Sequence, residues 1–127
     1  GTADSGFTVR MGSSPEVGGD NDGLRPVELM LIGLAGCTAM DVISILKKMR
    51  QDVTGFEVRA HGDRAGEHPR RFVHITIEYI LTGRNIDPDA AQKAIDLSAT
   101  RYCSVQASLD PAIQVEHVLT IHNAPGE

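Results

Sequence analysis

Hydrophobic and polar positions divide the chain into one long helix, four strand patterns and two shorter helical stretches. Pro26 suits a first helical position, and Val27 to Arg50 reads as helix. Its first half is apolar on every face, through Leu29, Met30, Leu31, Ile32, Leu34, Ala35 and Met40. Its second half turns amphipathic, with Val42, Ile43, Ile45, Leu46 and Met49 set against Asp41, Ser44, Lys47, Lys48 and Arg50. A helix apolar all round must be enclosed by protein, and a chain of 127 residues has little to enclose it with, which points to a second subunit. Before it, Phe7–Met11 is a short strand candidate, followed by a loop rich in Gly and Pro. After it, Phe56, Val58 and Ala60 alternate with Glu57, Arg59 and His61, and Val73 to Leu81 alternates at a period of two. Asp87-Pro88 has the cap and first-turn residues of a further helix. A short helix is expected around Tyr102 to Leu109, and a last strand over Ile113 to Ile121. That order fits simple β-α-β alternation only in part, so the expected class is α+β with a mainly antiparallel sheet.

Composition narrows the possibilities. The length suits one domain over residues 1–127. A hydrophobic fraction of 41% and a charged fraction of 23% are those of a globular protein. The formal net charge is -5, with no basic stripe for nucleic acid. The longest uncharged apolar run, 29–40, falls short of the ~20 residues of a membrane span, and no signal peptide is visible. No nucleic acid and no membrane are therefore expected among the partners. Two cysteines do not make a disulfide scaffold, and a reducing cytoplasm is the expected location. The start at Gly1 rather than Met leaves room for an N-terminal strand only partly present.

The candidate chemistry centres on Cys37 and Cys103, each set in an apolar helix-like stretch and too far apart in sequence for a local metal knuckle. A buried cysteine is often an inert small hydrophobe. If the fold joins these two, they form a thiolate and partner thiol able to reduce a peroxide through sulfenic acid and disulfide. Gly33 and Gly36 each cost a helix ~1 kcal/mol relative to alanine. If the helix breaks there, Cys37 sits near a fresh helix N-terminus, which favours thiolate. Asp41, one turn on, opposes ionisation. Glu28 has two readings. As an acid in a first helical turn it complements the dipole; as a charge that orients an arginine near the thiol, it needs the glycine break. His61, His68, His74, His117 and His122 are spaced too loosely for a metal site, and neither metal nor cofactor is expected. His74 and His117 fall at alternating strand positions and are expected to face outward or to be satisfied within the sheet.

Pro26-Val27-Glu28-Leu29-Met30-Leu31, followed by Leu34-Ala35-Gly36-Cys37-Thr38-Ala39-Met40-Asp41-Val42, resembles the central-helix signature of the OsmC/Ohr family. The likeness is to the OsmC-like subgroup with P-x-E-L and G-C-T/S-A-x-D-V. It continues through Ile45–Gln51, His68–Phe72, Leu97-Ser98 and Tyr102–Val105, and spans about residues 24 to 122. The resemblance implies an α+β fold and an intertwined homodimer, with long central apolar helices wrapped by sheets from both chains and sites at the subunit interface. It implies a peroxidatic cysteine at Cys37 that attacks an organic hydroperoxide and a resolving cysteine at Cys103. An external dithiol such as dihydrolipoamide reopens the disulfide. In the peroxidases a glutamate directly follows the proline, where this chain has Val27, with Glu28 one place later. Arg10 and Arg25 are the candidates for the family's early arginine. The expected function is a thiol-dependent peroxidase with Cys37, Cys103 and Glu28 as site residues, in which Leu31, Leu34 and Met40 favour an alkyl peroxide. A ligand-holding dimer with idle cysteines, and a cysteine hydrolase with a histidine near Cys37, are the alternatives.

Overall fold

The computed structural model describes residues 1–124. They fall into two compact units, Gly1–Ile32 and the chain from Gly33 onward. The elements are α1 (Pro26–Lys48), β1 (Asp52–Arg64), β2 (Phe72–Arg84), α2 (Pro88–Leu97), a π turn (Ser98–Tyr102), α3 (Ser104–Ala107) and β3 (Gln114–Asn123), with one 3-10 turn at Pro15–Val17.

In the first unit the strand candidate Phe7–Met11 reduces to isolated bridges, Thr2 with Thr8 and Met11 with Leu24. Pro15, Gly18, Gly19 and Gly23 follow it, and such a run offers no second strand to pair with. Glu28 opens α1 by accepting the Arg25 backbone N–H at 2.7 Å, half of a capping box. The Arg25 guanidinium turns back on its own loop, donating to Gly23 O at 3.0 Å and to Asn21 Oδ1 at 2.6 Å.

Helix α1 runs unbroken through Gly33 and Gly36, so the break these glycines could have allowed is absent. Two glycines cost ~2 kcal/mol of propensity, too little to interrupt a helix whose neighbouring turns bury Leu34, Thr38, Val42 and Leu46. These four stand at i, i+4, i+8 and i+12, a single packed stripe with no exposed surface. Other apolar positions on the helix stay open within one chain: Met30, Ile32 and Met40 are exposed, and a Cβ at Gly33 or Gly36 would meet nothing within 4 Å. The helix is long and apolar enough, by length and composition, to cross a membrane. The uncharged run 29–40 understated it because α1 carries Asp41 inside an otherwise apolar sequence.

The three strands are ordered β1-β2-β3, with β2 central. Strand β2 puts Ile75, Ile77, Tyr79 and Leu81 on the buried face, the period-two set its sequence predicts. Pairing of β1 with β2 is antiparallel from Asp52↔Arg84 to Arg64↔Phe72. Pairing of β2 with β3 is parallel, from His74↔Gln114 to Gly83↔Asn123. The sheet is therefore mixed, because β3 returns through a helical crossover that only a parallel partner requires. Asp87 caps α2, its side chain accepting the Asp89 N–H at 2.9 Å.

The short helix expected over Tyr102–Leu109 arrives as two pieces. Five residues, Ser98–Tyr102, form the π turn, closed by the Cys103 N–H on Ser98 O at 2.8 Å. Cys103 then leaves the helical region and caps α3.

Candidate functional site: a dithiol beside a carboxylate

The π turn sets the register of the site. One extra residue per turn lets Ser98 face α1 while Cys103, five positions later, also reaches it. Cys37 Sγ, Cys103 Sγ and one carboxylate oxygen of Asp41 consequently lie within 4.8 Å of one another. Both thiols are free; Cys103 is buried and Cys37 partly open. Ser104 Oγ stands 3.9 Å from Cys37 Sγ.

The surroundings push the two thiols apart in acidity. Burial raises Cys37, but hydrogen bonds from the Val105 backbone, the Cys103 thiol, and the Ser104 side chain and backbone outweigh it, and its pKa falls below the ordinary thiol value. Cys103 goes the other way: burial raises it, and the neighbouring Cys37 raises it further, against the pull of the Gln106 N–H. That N–H donates to Cys103 Sγ at 3.4 Å. A thiolate at Cys37 facing a proton-bearing Cys103 is the arrangement these shifts favour. It owes nothing to a break in α1. The donors belong to residues 103–105, brought against α1 from outside.

Behind the thiols lies a row of polar side chains that the sequence did not bring forward. Ser98 Oγ lies 2.9 Å from Asp41 Oδ2 and 3.0 Å from Thr38 Oγ1, placed to donate its one proton to either. Thr38 Oγ1 and Tyr79 Oη are 2.9 Å apart, and Tyr79 Oη and His117 Nδ1 also 2.9 Å. Thr38, Ser98 and Tyr79 have no exposed surface. Burial drives the Tyr79 hydroxyl up to about 12, with Cys103 adding to it and the Thr38 bond opposing it. Burial lowers His117, and Asp96 on α2 partly restores it. His117 is thus half-buried and satisfied by Tyr79 of the adjacent strand, and its ring stacks on Tyr79 with centroids 5.8 Å apart. One signal was available: Thr38 and Tyr79 are the polar members of two stripes otherwise filled by Leu, Val and Ile.

A cavity of about 370 Å³ adjoins the carboxylate, lined by Asp41, Ser44, Ile45, Lys48, Leu97 and Tyr102. Leu34 is sealed in the core and Met40 points to solvent, so the apolar wall beside Asp41 comes from Ile45 and Leu97 instead. Helix α1 is continuous between Glu28 and Cys37, so the glycine break that a direct role of Glu28 called for is not present. Among the described residues, no histidine joins Cys37, Cys103 and Asp41 in this cluster.

The site is thus a dithiol of split acidity, one thiol partly open and one buried, on an α+β scaffold. Residues 19–118 match the family described as OsmC-like protein, and the chain belongs to that family. It is 46% identical over 92 residues to Protein YhfA of Escherichia coli (strain K12), covering 72% of this chain and 69% of that protein. A hypothetical protein from Aquifex aeolicus VF5 shares the fold with a TM-score of 0.77 at 32% identity, covering 82% of this chain and 78% of that one. A Legionella pneumophila protein described as an organic hydroperoxide resistance protein OsmC has a TM-score of 0.69 at 13% identity, over 95% of this chain and 86% of that one; the likeness is of fold.

Proposed function

We propose that the protein is a thiol-dependent peroxidase that reduces organic hydroperoxides. The observation that carries this is the meeting of Cys37 Sγ and Cys103 Sγ, with an Asp41 oxygen, inside 4.8 Å, one thiol lowered and the other raised in pKa. The Cys37 thiolate attacks the distal oxygen of the hydroperoxide; the S–O bond forms as the O–O bond breaks, and the alkoxide takes a proton and leaves as alcohol. Cys103 gives up its proton and attacks the sulfenic sulfur; the S–S bond forms, the S–O bond breaks, and hydroxide leaves to become water. An external dithiol then reopens the disulfide and is itself oxidised. The cavity beside Asp41 seats the alkyl part against Ile45 and Leu97. The fold likeness to the Legionella organic hydroperoxide resistance protein supports the substrate class.

The working unit in this reading is a homodimer in a reducing cytoplasm. Exposed Met30, Ile32 and Met40, with two helical glycines that meet nothing within 4 Å, are the positions a second chain covers. Glu28 caps α1 through the Arg25 backbone N–H. Stopped-flow turnover with an alkyl hydroperoxide and a dithiol tests the activity. Cys37→Ser abolishes turnover and Cys103→Ser reduces it; full turnover in Cys37→Ser would refute the reading. One observation favours the ligand-holding alternative: the Arg25 guanidinium is engaged within its own loop, by Gly23 O and Asn21 Oδ1. A Cys37 thiol pKa at the unperturbed ~8.5 would select that alternative.

A further inference from the structure

Protons must enter and leave this site. A Cys37 thiolate and a Cys103 thiol that become a disulfide while a hydroperoxide becomes alcohol and water take up one proton in all. Reopening the disulfide with a dithiol releases one. Cys103 is 3% exposed and Thr38, Ser98 and Tyr79 are wholly buried, so bulk water does not serve the inner thiol directly.

We infer that Asp41, Ser98, Thr38, Tyr79 and His117 form a reversible proton relay that loads and unloads the Cys37–Cys103 pair. Every link is a hydrogen bond of 2.9 or 3.0 Å. At the inner end the carboxylate of Asp41 lies within 4.8 Å of both sulfurs, a span that one water bridges. At the outer end His117 is half-buried on β3. The logic lies in Ser98. It is placed to donate to both Asp41 Oδ2 and Thr38 Oγ1, yet a hydroxyl owns a single proton. With Asp41 ionised, that proton lies toward the carboxylate. When Asp41 takes a proton from Cys103 it becomes a donor to Ser98, and the row runs Ser98 to Thr38, Thr38 to Tyr79, Tyr79 to His117 Nδ1. His117 is fitted to accept, since burial keeps its ring neutral against the opposing Asp96, the charged group facing it from α2. Tyr79 passes protons without ionising, because its hydroxyl sits near 12.

The inference rests on reading Cys37 and Cys103 as a redox pair, and its test uses no hydroperoxide. Ellman's reagent reacts first at Cys37, releasing one thionitrobenzoate. Cys103 then attacks the mixed disulfide, releasing a second thionitrobenzoate and a proton as the Cys37–Cys103 bond closes. Only this closing phase draws on the relay. In Tyr79→Phe and in His117→Gln the first phase stays within about twofold of the parent, while closing slows about tenfold or more and loses its His-type pH inflection. His117→Gln, at a partly exposed strand position, keeps a partner for Tyr79 but cannot titrate, so it reports even if Tyr79→Phe folds poorly. Closing within twofold of the parent in His117→Gln overturns the relay, as does a parallel slowing of both phases. Absence of any closing phase in the parent overturns the dithiol pairing itself, whereas loss of hydroperoxide turnover with closing intact overturns only the peroxidase reading.

Discussion

Thr38→Val is the substitution that most sharply tests the buried polar row. Thr38 has no exposed surface, and its hydroxyl is bonded to Tyr79 at 2.9 Å and to Ser98 at 3.0 Å. Valine has the same shape, so the change removes two hydrogen bonds without opening a cavity. Each net bond contributes about 0.5–1.5 kcal/mol, giving a gross loss of about 1–3 kcal/mol. Neither partner is orphaned, since Tyr79 keeps His117 and Ser98 keeps Asp41. The added methyl returns up to about 0.8 kcal/mol through burial. The net expectation is a destabilisation of about 1–2 kcal/mol. At a melting entropy of about 2.1 cal/mol/K per residue, this lowers the melting temperature of the chain by about 4–8 °C. Thermal unfolding followed by circular dichroism measures it, and Thr38→Ser, which restores the hydroxyl, recovers the hydrogen-bond part. A Thr38→Val protein that melts at or above the parent temperature would refute the claim that these bonds hold α1 on β2.

Four further outcomes follow from the same geometry. Iodoacetamide alkylation resolved by peptide mapping finds Cys37 reactive at lower pH than a free cysteine and Cys103 only at higher pH; Cys103→Ala shifts Cys37 upward, because it loses a bond that stabilises the thiolate. Leu34→Ala, at a fully buried position, costs about 2–5 kcal/mol in chemical denaturation. His117 has a folded pKa below its unfolded value of 6.5, so its contribution to stability is complete above that value and is lost as pH falls toward the folded one. Denaturation curves for His117→Gln therefore show a shallower fall in stability across this acid window. Gly36→Ala tests the dimer: with open space around it in one chain, alanine stabilises an isolated helix by about 1 kcal/mol, whereas against a second chain it weakens association in sedimentation.

How much of this was legible in the sequence depends on the range of the interaction. Helix α1, the alternation of β2 and the Asp87-Pro88 start of α2 are written in local pattern, and they appear at those residues. The parallel pairing of β3 is not local. Its alternation is the same whichever direction its neighbour runs, and only the crossover decides. The glycine break failed because propensity competes with packing, and four buried positions on one stripe outweigh two small costs. At the site, Cys37 and Cys103 were visible as residue types, while their proximity depends on the π turn, whose extra residue leaves no periodic mark. Thr38, Tyr79 and Ser98 were hidden for a related reason. A hydroxyl inside an apolar stripe reads as a tolerated exception until its partners, 41 and 60 positions away, are in place. Asp41 was read as a charge opposing the thiolate; in the fold its carboxylate is held by Ser98 and forms the inner end of the row.

The central claim is that Cys37 and Cys103 act as one redox couple, and disulfide trapping tests it most directly. The reduced protein is mixed with a stoichiometric amount of cumene hydroperoxide, quenched by alkylation and mapped by mass spectrometry. The account predicts loss of both free thiols and a Cys37–Cys103 linked peptide within one chain. It also predicts a sulfenic or further oxidised Cys37 in Cys103→Ser. Two alkylated, unlinked cysteines after exposure to the peroxide would contradict it.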